Sequence, residues 1–79
     1  MKGDGKGTGG TESGAGKTSS RDECYRACVE KKKTNSAING ATFGVLTSSR
    51  KQECYCETNM EYSDGNDKWE SIIIPEIGK

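Results

Sequence analysis

Histidine is absent from this chain of 79 residues, and other residues on which folds and active sites often depend are scarce. There is one proline, one tryptophan and one phenylalanine, and only 29% of the residues are hydrophobic. Without histidine the usual general base near neutral pH is missing, so acid–base catalysis has weak support. A core with so few apolar residues rarely stabilises a chain of fewer than about 80 residues, so we expect covalent cross-links to stabilise the fold.

The chain also has no excess of positive or negative charge and no long apolar run. Twelve basic residues balance twelve acidic ones, which disfavours nucleic acid or an acidic membrane surface as the main partner. No run approaches the ~20 apolar residues of a membrane span, so we expect no membrane insertion. A glycine-rich polar run follows Met1 in place of an apolar secretory signal, which suggests a fragment of a mature protein with an added start methionine. The length allows one domain, which we expect to be monomeric in isolation.

The four cysteines are the strongest signal in the sequence. Cys24 and Cys28 are four apart in a predicted helix, and Cys54 and Cys56 are two apart in a predicted strand. Both spacings place the members of a pair on one face, roughly 6–7 Å apart. Two disulfides between the pairs would therefore pin the helix to the sheet. Each bond would contribute roughly 2–4 kcal/mol and indicates an oxidising, secreted or extracellular compartment.

The connectivity depends on the expected strand order. If the chain reverses after the helix and again before the second strand, that strand runs parallel to the helix. Cys24 then pairs with Cys54, and Cys28 pairs with Cys56. A strand lying steeply across the helix would instead pair Cys24 with Cys56 and Cys28 with Cys54. Pairing within each local pair is disfavoured, because a bridge between strand residues two apart needs strained geometry.

Two other uses of the cysteines have less support. A zinc site with four cysteine ligands usually places its cysteine pairs in knuckle turns, whereas one pair here lies in a well-capped helix. A redox role for Cys54-Tyr55-Cys56 would need cationic neighbours that lower the pKa of a thiol, and none is convincing.

Residues 1–19 hold seven glycines among polar residues. Such a run buries no apolar area, so we predict a flexible arm, although a few of its residues could pair as an edge strand. Residues 14–18 are similar to the end of a phosphate-binding loop, but Thr11 stands where that loop needs glycine, and no buried strand precedes it. A solvated glycine-rich tail explains the segment better.

A folded domain is predicted over residues 20–76, followed by a tail at 77–79. Ser20 and Glu23 match a capping box, and acidic residues in the first turn with lysines in the last favour a helix over 21–33. β-Prone runs predict strands at 41–46, 52–58 and 68–74. The fold class is therefore α+β, with one helix packed on a three- to four-stranded antiparallel sheet and two disulfides linking them.

Three aromatic residues, Tyr55, Tyr62 and Trp69, are the best candidates for a ligand-binding surface. Flat rings suit both the faces of sugars and protein hot spots. A simpler explanation for Trp69 is that it is the main aromatic residue of a small hydrophobic core and does not bind a ligand.

Carboxylates at Glu57 and Glu61, and at Asp64 and Asp67, offer a catalytic or calcium-binding alternative. We interpret them as a solvated face and an ordinary turn, because the spaced acidic ligands of a calcium loop are missing. We therefore predict no catalytic residue, metal or cofactor.

Four segments together resemble the PAN/apple-like modules of extracellular invertebrate proteins. They are the helix-borne Cys-x-x-x-Cys at 24–28, Asn39-Gly40-Ala41-Thr42-Phe43-Gly44, Glu53-Cys54-Tyr55-Cys56-Glu57 and the last strand with its tryptophan. The WSC carbohydrate-binding module is similar in its cysteine spacing but has more cysteines. The resemblance covers residues 19–74 and implies a helix cradled by a curved antiparallel sheet. It also implies a protein or carbohydrate ligand in adhesion, matrix or protease contexts.

These observations predict a non-catalytic extracellular binding or adhesion module that forms part of a larger secreted or matrix protein. The alternative is a small secreted effector, such as a toxin or an enzyme inhibitor, that acts alone. The glycine-rich arm is more typical of a linker between domains, and it therefore favours the module.

Overall fold

The computed structural model describes residues 1–45 and 47–76 and shows one helix packed on antiparallel sheet, which confirms the α+β class. The elements are β1 (Gly5–Lys6), β2 (Glu12–Lys17), α1 (Arg21–Lys32), β3 (Ile38–Gly44), β4 (Glu53–Thr58), β5 (Tyr62–Ser63) and β6 (Trp69–Ile73). The main sheet has the order β2-β4-β3-β6, and β1 pairs separately with β5. Leu46, at the end of the strand expected over 41–46, and the tail 77–79 lie outside the described residues. No helix in the described ranges is long and apolar enough to cross a membrane.

The helix begins and ends close to the predicted residues. Ser20 has an extended backbone, and its hydroxyl accepts a hydrogen bond of 3.1 Å from the Glu23 amide, as in a capping box. The Glu23 carboxylate reaches back to the Ser19 amide at 2.9 Å, one residue earlier than the capping box requires. After the last turn, the buried ammonium of Lys32 donates to the Ile38 carbonyl oxygen at 2.6 Å. This bond fixes the connection from the helix into β3.

Two disulfides form the centre of the core. Cys24 is bonded to Cys54 and Cys28 to Cys56, with Cα–Cα distances of 5.5 and 5.3 Å. This confirms the connectivity predicted from a strand parallel to the helix. The four cysteines are at most 1% exposed, and four other buried residues pack around them: Ile38, Ala41, Phe43 and Ile74. Each of the four sulfur atoms is bonded to a cysteine of the other element, so none is a free thiol, and Cys54 and Cys56 are not bonded to each other.

The sheet has two faces with different residues. Side chains alternate along a strand, so the cysteines of β4 face the helix and their neighbours face away. We call the side away from the helix the second face. Its residues include Thr42, Tyr55, Glu57, Trp69 and Ser71.

The structure corrects the prediction of a flexible arm over residues 1–19. Most of that segment lies in the sheet or against it: β2 runs antiparallel to β4, with Glu12 opposite Glu57 and Lys17 opposite Glu53. An edge strand therefore lies inside the glycine-rich run. Backbone hydrogen bonds hold it, and these do not depend on the apolar side chains that the run lacks.

Residues 1–10, which we call the strap, cross the second face of the sheet. At one end, Met1 exchanges two backbone hydrogen bonds with Ser71 on β6, at 2.6 and 2.7 Å. In the middle, the Gly5 amide donates to the Thr42 hydroxyl at 3.1 Å, and β1 pairs with β5. The strap thus covers polar side chains that would otherwise face solvent.

Close backbone approach explains the glycines of the strap. A Cβ atom on Gly7 would overlap the carbonyl oxygen of Asn59, and one on Gly3 would overlap the backbone nitrogen of Gly65. Gly3 also has φ of +115°, which residues with a side chain rarely adopt. The composition that suggested disorder is therefore what lets the chain lie flat on the sheet.

Deleting residues 1–10 should lower the free energy of unfolding. The deletion removes several buried hydrogen bonds, each with a net value of about 0.5–1.5 kcal/mol, so we expect a loss of about 2–4 kcal/mol in chemical denaturation. Thr8→Ala, which changes an exposed side chain and leaves the backbone pairing intact, is the control. Equal stability of the truncated and full chains would restore the flexible-arm interpretation.

Removing either disulfide should be costly. Cys24→Ala with Cys54→Ala, and separately Cys28→Ala with Cys56→Ala, should each lower the free energy of unfolding by about 2–5 kcal/mol. The intact oxidised chain should weigh about four mass units less than the reduced chain, because each bond releases two hydrogens. Denaturation curves and intact mass check these results, and a double variant as stable as the wild type would contradict them.

Candidate binding site

Tyr55 and Trp69 lie together on the second face. Tyr55 is on β4 and Trp69 on β6, with β3 between them, and their ring centroids are 5.8 Å apart at an interplanar angle of 67°. This is an edge-to-face arrangement, which aromatic rings prefer over a face-to-face sandwich. Gly44 lies opposite Trp69 on β3, and a Cβ atom there would overlap the carbonyl oxygen of Arg50 and come within 3.4 Å of the Trp69 ring.

Trp69 is not the core aromatic that the sequence suggested. Its side chain is half-buried on the second face, whereas Phe43 is 6% exposed and packs with the disulfides. The interpretation of Trp69 as the main core residue is therefore wrong, and its side chain lies partly exposed on the second face.

The Tyr55 ring is fixed at its hydroxyl end. The hydroxyl donates a 2.8 Å hydrogen bond to Glu53 Oε1, which also lies 3.5 Å from the Arg50 guanidinium. The bond to Glu53 is the main cause that raises the pKa of Tyr55. The same bond is the main cause that lowers the pKa of Glu53, with Arg50 contributing further. The ring is therefore anchored before any ligand arrives.

The two rings border an open cleft of about 410 Å³. Its other lining residues are polar or charged: Asp4, Glu12, Ser49, Arg50 and Lys68. Asp4 belongs to the strap and Glu12 to β2, so two of the seven come from the segment expected to be flexible. Sequence reasoning missed them for that reason.

Tyr62 does not belong to this cleft. It lies on β5 opposite Lys6 of the strap, and it is 57% exposed. Of the three predicted ligand-binding aromatics, the structure brings together Tyr55 and Trp69 only.

A cluster of three carboxylates lies beside the cleft. Oxygen atoms of Asp4, Glu12 and Glu57 are all within 4.8 Å of one another. Glu57 is 4% exposed, which corrects its interpretation as part of a solvated face. Burial is the main cause that raises the pKa of Glu57 to about 8, and the charges of Glu12 and Asp4 add to the rise. A hydrogen bond of 2.6 Å from the Thr42 hydroxyl opposes it.

The acidic turn after β5 has a structural role. Asp64 Oδ1 accepts hydrogen bonds from the amides of Asn66 and Asp4, both at 2.9 Å. These bonds, led by the one from Asn66, lower the pKa of Asp64. The carboxylate therefore orders its own turn and anchors the strap to it.

None of the family models, curated proteins and solved structures compared with this chain matches it. The PAN/apple-like resemblance therefore stays a prediction.

The anchoring of Tyr55 can be tested by titration. Its phenol should ionise above the ordinary tyrosine range because Glu53 accepts its hydrogen bond, and Glu53→Gln should lower that pKa. NMR of ring-labelled tyrosine over alkaline pH gives the value for each ring. Glu61→Gln, an exposed change outside this contact, is the matched control. A Tyr55 pKa that does not move in Glu53→Gln would contradict the contact.

Proposed function

We propose that this chain is a non-catalytic extracellular recognition module that binds a carbohydrate in the cleft between Tyr55 and Trp69. The observation that carries the proposal is that two partly buried aromatic rings border a cleft whose charged side chains balance one another. A stacked sugar needs a flat apolar surface for its C–H groups and polar side chains for its hydroxyls. The cleft offers both on one face of the sheet.

The charge of the cleft favours a neutral ligand. Asp4 and Glu12 supply two carboxylates, while Arg50 and Lys68 supply two cations. A site for an anion or a cation would concentrate charge of the opposite sign. Alternating donors and acceptors instead suit a polyhydroxylated molecule, which offers both kinds of group.

The size of the cleft suits a small saccharide. Ligand sites typically measure about 300–1,000 Å³, and this one is at the lower end at about 410 Å³. The hydroxyl of Tyr55 is already bonded to Glu53, so little freedom is lost at that ring when a ligand binds.

Two further observations support an extracellular, non-catalytic role. Disulfides persist mainly in oxidising compartments, and two of them link the helix to the sheet here. The carboxyl with the most raised pKa, Glu57, is buried under the strap and is not presented to a substrate. Together with the PAN/apple-like resemblance, these points favour a module within a larger secreted or matrix protein.

Trp69→Ala should strongly weaken carbohydrate binding. A panel of neutral and charged oligosaccharides on an array identifies the best binder, which is then titrated against the labelled protein by NMR. Loss of a central aromatic typically costs at least about 2 kcal/mol, or roughly 30-fold in affinity. Tyr62→Ala is the matched control, because Tyr62 is an exposed aromatic outside the cleft.

The pattern across the two variants decides the proposal. Shifts confined to the residues of the cleft, lost in Trp69→Ala and kept in Tyr62→Ala, would support it. Failure of every sugar to shift these residues, or equal losses in both variants, would overturn it and leave a protein ligand as the better candidate.

A further inference from the structure

The strap is held by a chain of hydrogen bonds that ends at a buried carboxyl group. The Gly5 amide donates to the Thr42 hydroxyl at 3.1 Å, and that hydroxyl donates to Glu57 Oε2 at 2.6 Å. Thr42 is 1% exposed and Glu57 is 4% exposed. The middle of the strap therefore depends on the position of one acidic side chain in β4.

A second contact joins the strap to the same carboxyl group. Asp4 Oδ1 is buried and has no hydrogen-bond partner among the described residues, and a carboxylate oxygen of Asp4 lies within 4.8 Å of one of Glu57. An ionised Glu57 cannot satisfy it, since both groups would then be acceptors. A protonated Glu57 can donate to Asp4, and this bond satisfies an oxygen that burial would otherwise penalise.

Three elements pack on Glu57, and each of them places a charged or polar side chain beside its carboxyl group. The strap contributes the carboxylate of Asp4. It also contributes the Lys6 ammonium, which lies 3.3 Å from Asp4 Oδ2. β2 contributes Glu12, directly opposite Glu57 in the ladder, and β3 contributes the uncharged hydroxyl of Thr42. Lys6 is paired with Asp4, which is the main reason why its pKa is raised. Two carboxylates thus face Glu57, and the Lys6 ammonium beside them is paired with Asp4.

From this arrangement we propose that the strap is a pH-responsive cover, closed when Glu57 is protonated and donates a hydrogen bond to Asp4, and loosened when Glu57 is ionised. Ionisation places three negative charges within 4.8 Å of one another, and the one on Glu57 is buried. Moving the strap away removes Asp4 and admits water to Glu57, which relieves both the repulsion and the burial of charge. The core around the disulfides lies on the other face and does not need to change.

The direction of the pH effect follows from proton linkage. The pKa of Glu57 in the closed form is raised to about 8 from an ordinary value of 4.5. Between these two pH values the closed form binds more protons than the open form, so the stability of the closed form relative to the open form falls as pH rises. Above about pH 8 this stability changes little with pH. In a one-proton scheme the opening constant rises by up to about tenfold for each pH unit in this window.

Hydrogen exchange of the full chain tests the proposal. Protection of the Gly5 and Ser71 amides, corrected for intrinsic exchange, should fall at least about tenfold between about pH 5 and about pH 8. In Glu57→Gln this loss of protection should disappear. The side-chain amide of the glutamine can accept a hydrogen bond from Thr42 and donate one to Asp4, and it does not titrate. Glu30→Gln, an exposed change on the helix, is the matched control and should behave as wild type.

A second measurement keeps the test decisive if Glu57→Gln does not fold. Side-chain carboxyl NMR should show Glu57 in the wild type titrating well above the ordinary range, and Asp4→Asn should lower its pKa by removing the facing carboxylate. Protection that is independent of pH in the wild type, or that falls equally in Glu57→Gln, would overturn the proposal. A loss shared by the Cys54 and Cys56 amides would also overturn it, since it would indicate global unfolding.

Discussion

The fold depends on two covalent bonds between one helix and one strand. Cys24–Cys54 and Cys28–Cys56 are buried where a larger domain would place several aliphatic side chains. Matching spacings, four on a helix and two on a strand, let both bonds form on one pair of elements. With the helix fixed in this way, a small group of apolar residues completes that side of the sheet. Stability therefore comes partly from restricting the unfolded chain, and less from apolar burial.

The other side of the sheet is covered by backbone. The strap lies on it with glycines at the points of closest approach, and the residues beneath it are polar: Thr42, Glu57 and Ser71. Buried polar groups need partners, and the strap supplies them through its amides and Asp4. This arrangement orders a segment that has almost no apolar side chains. It also makes the order of the strap sensitive to charge, because Glu57 is part of the contact.

Local rules predicted the helix and the strands β3, β4 and β6, and the strand order expected from these elements favoured the observed disulfide connectivity. The capping residues around Ser20, the cysteine spacings and the β-prone runs each act over a few neighbouring residues, so they can be read without knowing the fold. The strap and β2 were missed because their order comes from backbone pairing with residues between 36 and 58 positions away. The burial of Glu57 was missed with them, since its position on β4 was predicted but its cover was not. For the same reason Tyr55 and Trp69 could be named from the sequence, whereas Asp4 and Glu12 beside them could not.

The strap and the cleft share a residue, and this couples the two proposals. Asp4 lines the cleft beside the aromatic pair and also faces Glu57. A strap that moves away from Glu57 takes one carboxylate out of the cleft and leaves Arg50 and Lys68 opposed mainly by Glu12. The balanced charge that favours a neutral sugar therefore holds only while the strap is closed. Recognition in this cleft would then be strongest at mildly acidic pH, where Glu57 is protonated, although Trp69 itself does not titrate.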